Sequence, residues 1–110
     1  MPVSVLVEKQ INTLQLGSME QNFVLMLDPG FSAHSHYRTS VYRRGPADAL
    51  TRIWQVDEML PGYEDMLALS LPGSILEPGI FEVRIEGWRD EWPAGHDWEM
   101  VDTLTFNCID

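Results

Sequence analysis

The sequence predicts an all-β protein, a single seven-stranded antiparallel sandwich over residues 1–110. Three observations carry this. Leu67, Leu69 and Leu71 alternate with Ala68 and Ser70, and Phe81, Val83 and Ile85 alternate with Glu82, Arg84 and Glu86. A period of two with one apolar side marks a strand buried on one face. Turn signals fall between such runs: Asp28-Pro29-Gly30, Arg44-Gly45-Pro46, Pro61-Gly62, Pro72-Gly73 and Pro78-Gly79. Short strands separated in this way are the pattern of a sandwich. Finally, 110 residues with 45% apolar content make one domain that can bury a core without cross-links.

Val3, Val5 and Val7 alternate with Ser4 and Leu6 and open the first strand; Glu8-Lys9-Gln10 interrupts it, and Ile11 to Leu16 resumes it. Gly17-Ser18 then turns the chain. Asn22 to Asp28, apolar on both faces, reads as a second strand at the centre of a packed sheet. His36 to Arg43 is the third, with Tyr37, Thr39 and Val41 on one side, and Leu50 to Val56 the fourth, with Trp54 and Val56 facing inward. Leu67–Leu71 and Phe81–Gly87 are the fifth and sixth. The last runs from Glu99 to Ile109, with Leu104, Phe106 and Cys108 on one face and Thr103, Thr105 and Asn107 on the other. Two segments also obey helix rules. Ser18-Met19-Glu20-Gln21 has the form of a capping box leading into Phe23–Leu27. Pro46 to Trp54 places proline in a first helical turn. They define the alternative, an α+β domain with one or two short helices.

Leu67-x-Leu69-x-Leu71, followed by Leu76-Glu77-Pro78-Gly79-Ile80-Phe81-Glu82-Val83, resembles the E strand, E–F corner and F strand of immunoglobulin-like and fibronectin-like domains. In those domains a Gly-x-aromatic-x-Val pattern opens strand F. The resemblance covers residues 67–83 directly and the rest of the chain by strand count. Val83 stands where strand F of an antibody domain carries a cysteine, and Phe81 replaces the corner tyrosine. Trp54 falls in the fourth strand, away from the third-strand place of the core tryptophan. The resemblance implies an immunoglobulin-like sandwich. It implies no activity, because such folds host many functions.

The net charge of −10 is unevenly spread. Residues 1–56 hold four acids and five bases, whereas residues 57–110 hold thirteen acids and two bases, Arg84 and Arg89. An acidic half of this kind repels nucleic acid, since phosphate binding depends on Lys and Arg releasing counterions. It attracts a basic surface. The expected partner is therefore another protein with a basic surface, with no direct contact to nucleic acid. The longest apolar run, Phe23 to Leu27, is far too short to span a bilayer, so no membrane association is expected. Met1 to Val5 lack the basic start and apolar core of a secretory signal, and a lone cysteine fits a reducing compartment. The expected location is the cytoplasm.

The connection Trp88-Arg89-Asp90-Glu91-Trp92-Pro93-Ala94-Gly95-His96-Asp97-Trp98 holds three of the four tryptophans. Hairpin loops ordinarily run about 2 to 5 residues. Loops at the ends of sandwiches are where such domains bind, and tryptophan is enriched at binding hot spots. Trp88, Asp90, Glu91, Trp92 and Trp98 are the candidate partner-binding residues. The plain alternative is that Trp88 and Trp98 cap the core as a cross-strand pair with Trp92 folded over them. Arg38, Arg43 and Arg44 are a candidate assembly contact, meeting the acidic half of another copy in a homo-oligomer. Their plain reading is pairing with Glu82 and Glu86 within the chain. His34 and His36 alternate, but two imidazoles make no metal site alone. Asp90, Glu91 and Asp97 lack the spacing of a calcium loop.

No nucleophile elbow, glycine-rich phosphate loop or zinc pattern occurs, and Cys108 lies on the apolar side of its strand. No enzymatic activity, metal or cofactor is expected. The sequence thus points to a non-catalytic, acidic protein-interaction module. The alternatives are a nucleic-acid-mimicking inhibitor of a basic protein, a structural subunit of a phage or secretion particle, and a carbohydrate-binding module.

Overall fold

The computed structural model describes residues 3–7, 12–16, 22–29, 34–62 and 65–109, with only the backbone described at 3–7 and Asn12. Alternation dictates the elements. The described strands are β1 (Val3–Val7), β2 (Asn12–Gln15), β3 (Phe23–Leu27), β4 (His36–Arg44), β5 (Leu50–Met59), β6 (Leu67–Leu71), β7 (Gly79–Trp88) and β8 (Glu99–Ile109). They form two sheets, ordered β1-β3-β6 and β2-β8-β7-β4-β5. Leu67, Leu69 and Leu71 are buried while Ala68 and Ser70 are exposed; Phe81, Val83 and Ile85 are buried while Glu82, Arg84 and Glu86 are half-buried on the other side. Leucines of β3 and β6 join Tyr37, Val41, Phe81, Val83, Leu104 and Phe106 of the larger sheet in one apolar core. This two-sheet arrangement is compatible with a β-sandwich.

The expected first strand is two strands in different sheets. β1 runs beside β3, with Val3 opposite Phe23, and β2 runs beside β8, with Asn12 opposite Phe106. Both pairs are parallel, which corrects the expectation of a purely antiparallel fold. The physical reason is the change of sheet: one stretch of chain supplies an outer strand to each layer. The Glu8-Lys9-Gln10 interruption and the Gly17-Ser18 turn lie outside the described residues.

The helical alternative fails where it can be followed. Phe23–Leu27 is a strand held between β1 and β6. Pro46–Asp48 forms a single three-residue 3-10 turn, closed by a 2.7 Å bond from Gly45 N–H to the Ala49 carbonyl, before β5 begins. Ser18 to Gln21 lie outside the described residues. Among the described residues no helix is long and apolar enough to cross a membrane.

Among the described residues the polar side chains of Thr39 and Ser40 are buried, and each has a partner. Thr39 donates to Met59 Sδ at 2.9 Å, and Ser40 donates to Gln55 Oε1 at 3.2 Å. Cys108 is a free, buried thiol, and burial raises its pKa to about 11.

Candidate functional site

Strand pairing builds the site. In the β4–β7 ladder His36 stands opposite Trp88, and Arg38 opposite Glu86. In the β7–β8 ladder Gly87 stands opposite Glu99. The long connection therefore leaves β7 and re-enters β8 beside the start of β4.

The connection folds as two successive turns. Trp92 N–H bonds the Arg89 carbonyl at 3.0 Å, and His96 N–H bonds the Pro93 carbonyl at 3.1 Å. Gly95 has a φ of +92° at the third position of the second turn. That position in a type II turn favours glycine, so the local sequence encodes the bend. Ser35 anchors the base: its N–H donates to the Trp88 carbonyl at 2.7 Å, and its Oγ accepts from Asp90 N–H at 2.9 Å.

The three tryptophans and all three histidines of the chain meet here. Trp88 lies 5.3 Å from Trp92 and 5.5 Å from Trp98, centroid to centroid. Trp92 stacks on His96 at 4.0 Å, and His36 meets Trp98 edge-on at 5.4 Å. His34 contacts Tyr37 and Trp92. Its ring occupies the space above Gly87, where any β-carbon would overlap it. Its Nε2 lies 3.1 Å from Glu99 Oε1. Trp88, Trp92 and Trp98 are all half-buried, so the loop is packed against the sheet end. Trp88 and Trp98 thus meet across the strands with Trp92 over Trp88.

Charge rings this cluster. Asp90, Glu91, Asp97 and Glu99 are exposed. His36 Nδ1 lies 3.5 Å from Asp90 Oδ1. On the outer face of the sheet, Arg38 donates to both Glu86 oxygens at 3.1 and 2.9 Å, and its guanidinium sits 4.5 Å above the Trp98 ring. Further along β7, Arg84 donates a single bond to Glu82 of its own strand at 2.8 Å and lies 4.6 Å from the Tyr42 ring. The Glu82 hydrogen bond raises the Arg84 pKa above its ordinary value.

The other arginines are placed differently. Arg43 pairs with Glu77, and Arg44 is exposed at the end of β4. The structure therefore gathers Trp88, Asp90, Trp92 and Trp98 with Arg38 at one end of the larger sheet, places Glu91 exposed on the loop, and sets Arg43 and Arg44 apart from them. His34 and His36 take different neighbours. Among the described residues no three His, Cys, Asp or Glu side chains gather as a metal-binding group. The packing roles of His34, His36, His96 and Gly87 were missed in the sequence. The histidine signal was present in register: pairing the third strand with the sixth sets His36 against Trp88.

No protein-family model and no curated protein matches the sequence.

Proposed function

We propose that this chain is a non-catalytic, acidic protein-interaction module of immunoglobulin-like topology, which binds a basic protein surface through the Trp88–Trp98 end. The strand order supports the topology: a three-strand sheet faces a five-strand sheet in which β8, β7 and β4 are neighbours. One observation carries the binding reading. Half-buried Trp88, Trp92 and Trp98 interlock with half-buried His34 and His36 and with exposed His96 into one aromatic block, and Asp90, Glu91 and Asp97 stand exposed around it. A surface held in advance by turns, stacking and hydrogen bonds loses little freedom on binding. Aromatic anchors supply affinity, and the acidic rim supplies encounter rate and discrimination.

The same geometry weighs against a sugar platform. Such a platform needs an indole face lying open, and His96 covers one face of Trp92 while Trp88 meets Trp92 at 81°. It also weighs against assembly through arginine, because Arg38 and Arg43 are committed to Glu86 and Glu77.

The test is affinity capture from the source organism, read by mass spectrometry. The wild-type chain is compared with Asp90→Asn/Glu91→Gln and with the same pair plus Trp92→Ala. The expected result is enrichment of basic proteins by the wild type, weakened in the double variant and lost in the triple. Capture that is unchanged in both variants overturns the reading.

A further inference from the structure

We propose that the free edge of β6 is a self-association site, at which two copies pair their β6 strands antiparallel about a two-fold axis through Leu69. β6 is outermost in its sheet, and among the described residues its far side pairs with no strand. An unpaired edge is a template for another strand, and proteins ordinarily blunt it with charge, proline or a bulge. β5, an edge of the other sheet, is blunted in this way. Two register shifts interrupt its pairing with β4, and Arg52, Asp57 and Glu58 are exposed along it. Within Leu67–Leu71 β6 has none of these devices, and Pro72 stands only past its end. Its pairing with β3 runs unbroken from Leu67 to Leu71, no charge or proline interrupts Leu-Ala-Leu-Ser-Leu, and the exposed side chains are Ala68 and Ser70.

The occupant is a second copy because the strand is complementary to itself. In antiparallel pairing centred on Leu69, Leu69 faces its own counterpart, Leu67 faces Leu71 of the second copy, and Ala68 faces Ser70 of the second copy. All leucines then fall on the core side and all small residues on the other, as a period of two requires. In the same register Pro72 faces Met66 of the second copy. Pro72 lines a mostly apolar cleft of about 260 Å³ together with Phe23, Val24, Trp54 and Leu71, with Asn22 and Ser70 as its polar members. Met66 is only half-buried within its own chain. An apolar side chain thus meets a mostly apolar cleft at each end of the paired strands.

A two-fold contact closes on itself and yields dimers, not filaments. Five residues a side make a small interface, so the dimer is weak and forms at protomer concentrations on the order of 0.1–1 mM. Each copy carries a net charge of −10, so repulsion opposes pairing and salt favours it.

Sedimentation equilibrium across that concentration range, at low and at high salt, tests the proposal. Wild-type protein is expected to dimerise, more so in high salt. Ala68→Lys with Ser70→Lys sets like charges face to face twice and is expected to weaken the dimer at least about tenfold. Ala68→Lys with Ser70→Glu sets opposite charges there and restores the dimer to the wild-type level or above. Both positions are exposed, and circular dichroism checks that each variant folds. Hydrogen exchange on the wild type gives a readout without mutation: β6 amides gain protection as concentration rises. A monomer at every concentration and salt overturns the proposal. So does a Lys/Lys variant that dimerises as well as wild type, a folded Lys/Glu variant that does not recover, or a dimer whose β6 amides gain no protection.

Discussion

Gly87 shows how one missing atom organises the site. It lies in β7, buried, with the His34 ring lying where a side chain would begin. Gly87→Ala should displace that ring, loosen its contacts with Tyr37, Trp92 and Glu99, and cost about 1–3 kcal/mol of stability as overpacking does. Urea unfolding measures the loss, and adding His34→Ala should recover part of it because the two sites are coupled. Cys108 makes a different prediction from the same kind of burial. Its thiol is neutral when protonated, and its pKa is raised from an ordinary 9.0 to about 11. Between these values the unfolded chain has lost its proton and the folded chain retains it. Folding stability should therefore be intact below about pH 9 and fall as pH rises from 9 to 11. Urea midpoints measured across that window should decline more steeply for wild type than for Cys108→Ala. Equal slopes would show that the thiol does not contribute.

The β4–β7 pair is where the elements bring charge together. Arg38 and Glu86 face each other across the ladder with side chains 27% and 20% exposed, and Trp98 covers the guanidinium. Two parallel hydrogen bonds and partial shielding make this stronger than an ordinary surface pair. A double-mutant cycle with Arg38→Met and Glu86→Gln should return a coupling on the order of 1 kcal/mol, and a value indistinguishable from zero would show that the pair contributes nothing to stability. The pairing of third-strand arginine with sixth-strand glutamate was legible in the sequence, because both residues lie on the polar side of alternating strands. The fate of the first strand was not legible. Val3–Val7 alternates through three valines and Asn12–Gln15 holds a single apolar residue, Leu14, and nothing local tells which sheet either will join.

Across the whole molecule, charge and edge geometry pull in opposite directions. The acidic half would attract a basic partner and repel a second acidic copy, so added salt should weaken the proposed loop contact and strengthen the proposed β6 contact. That difference in sign separates the two surfaces in solution. The loop itself marks the limit of reading from sequence. Its length, its tryptophans and its acids stand in one continuous stretch of the chain. Its partners, His34 and His36, lie more than fifty residues away and arrive only because β4 pairs with β7. The sequence by itself determined the β character, the burial of alternate residues along β6, β7 and β8, and the turn chemistry, since all of these depend on near neighbours and a period of two. Tertiary structure alone decided the division of the first strand between two sheets, the two parallel pairs and the gathering of three tryptophans with three histidines. Alternation says which way a side chain points, and carries no information about which distant strand will lie beside it.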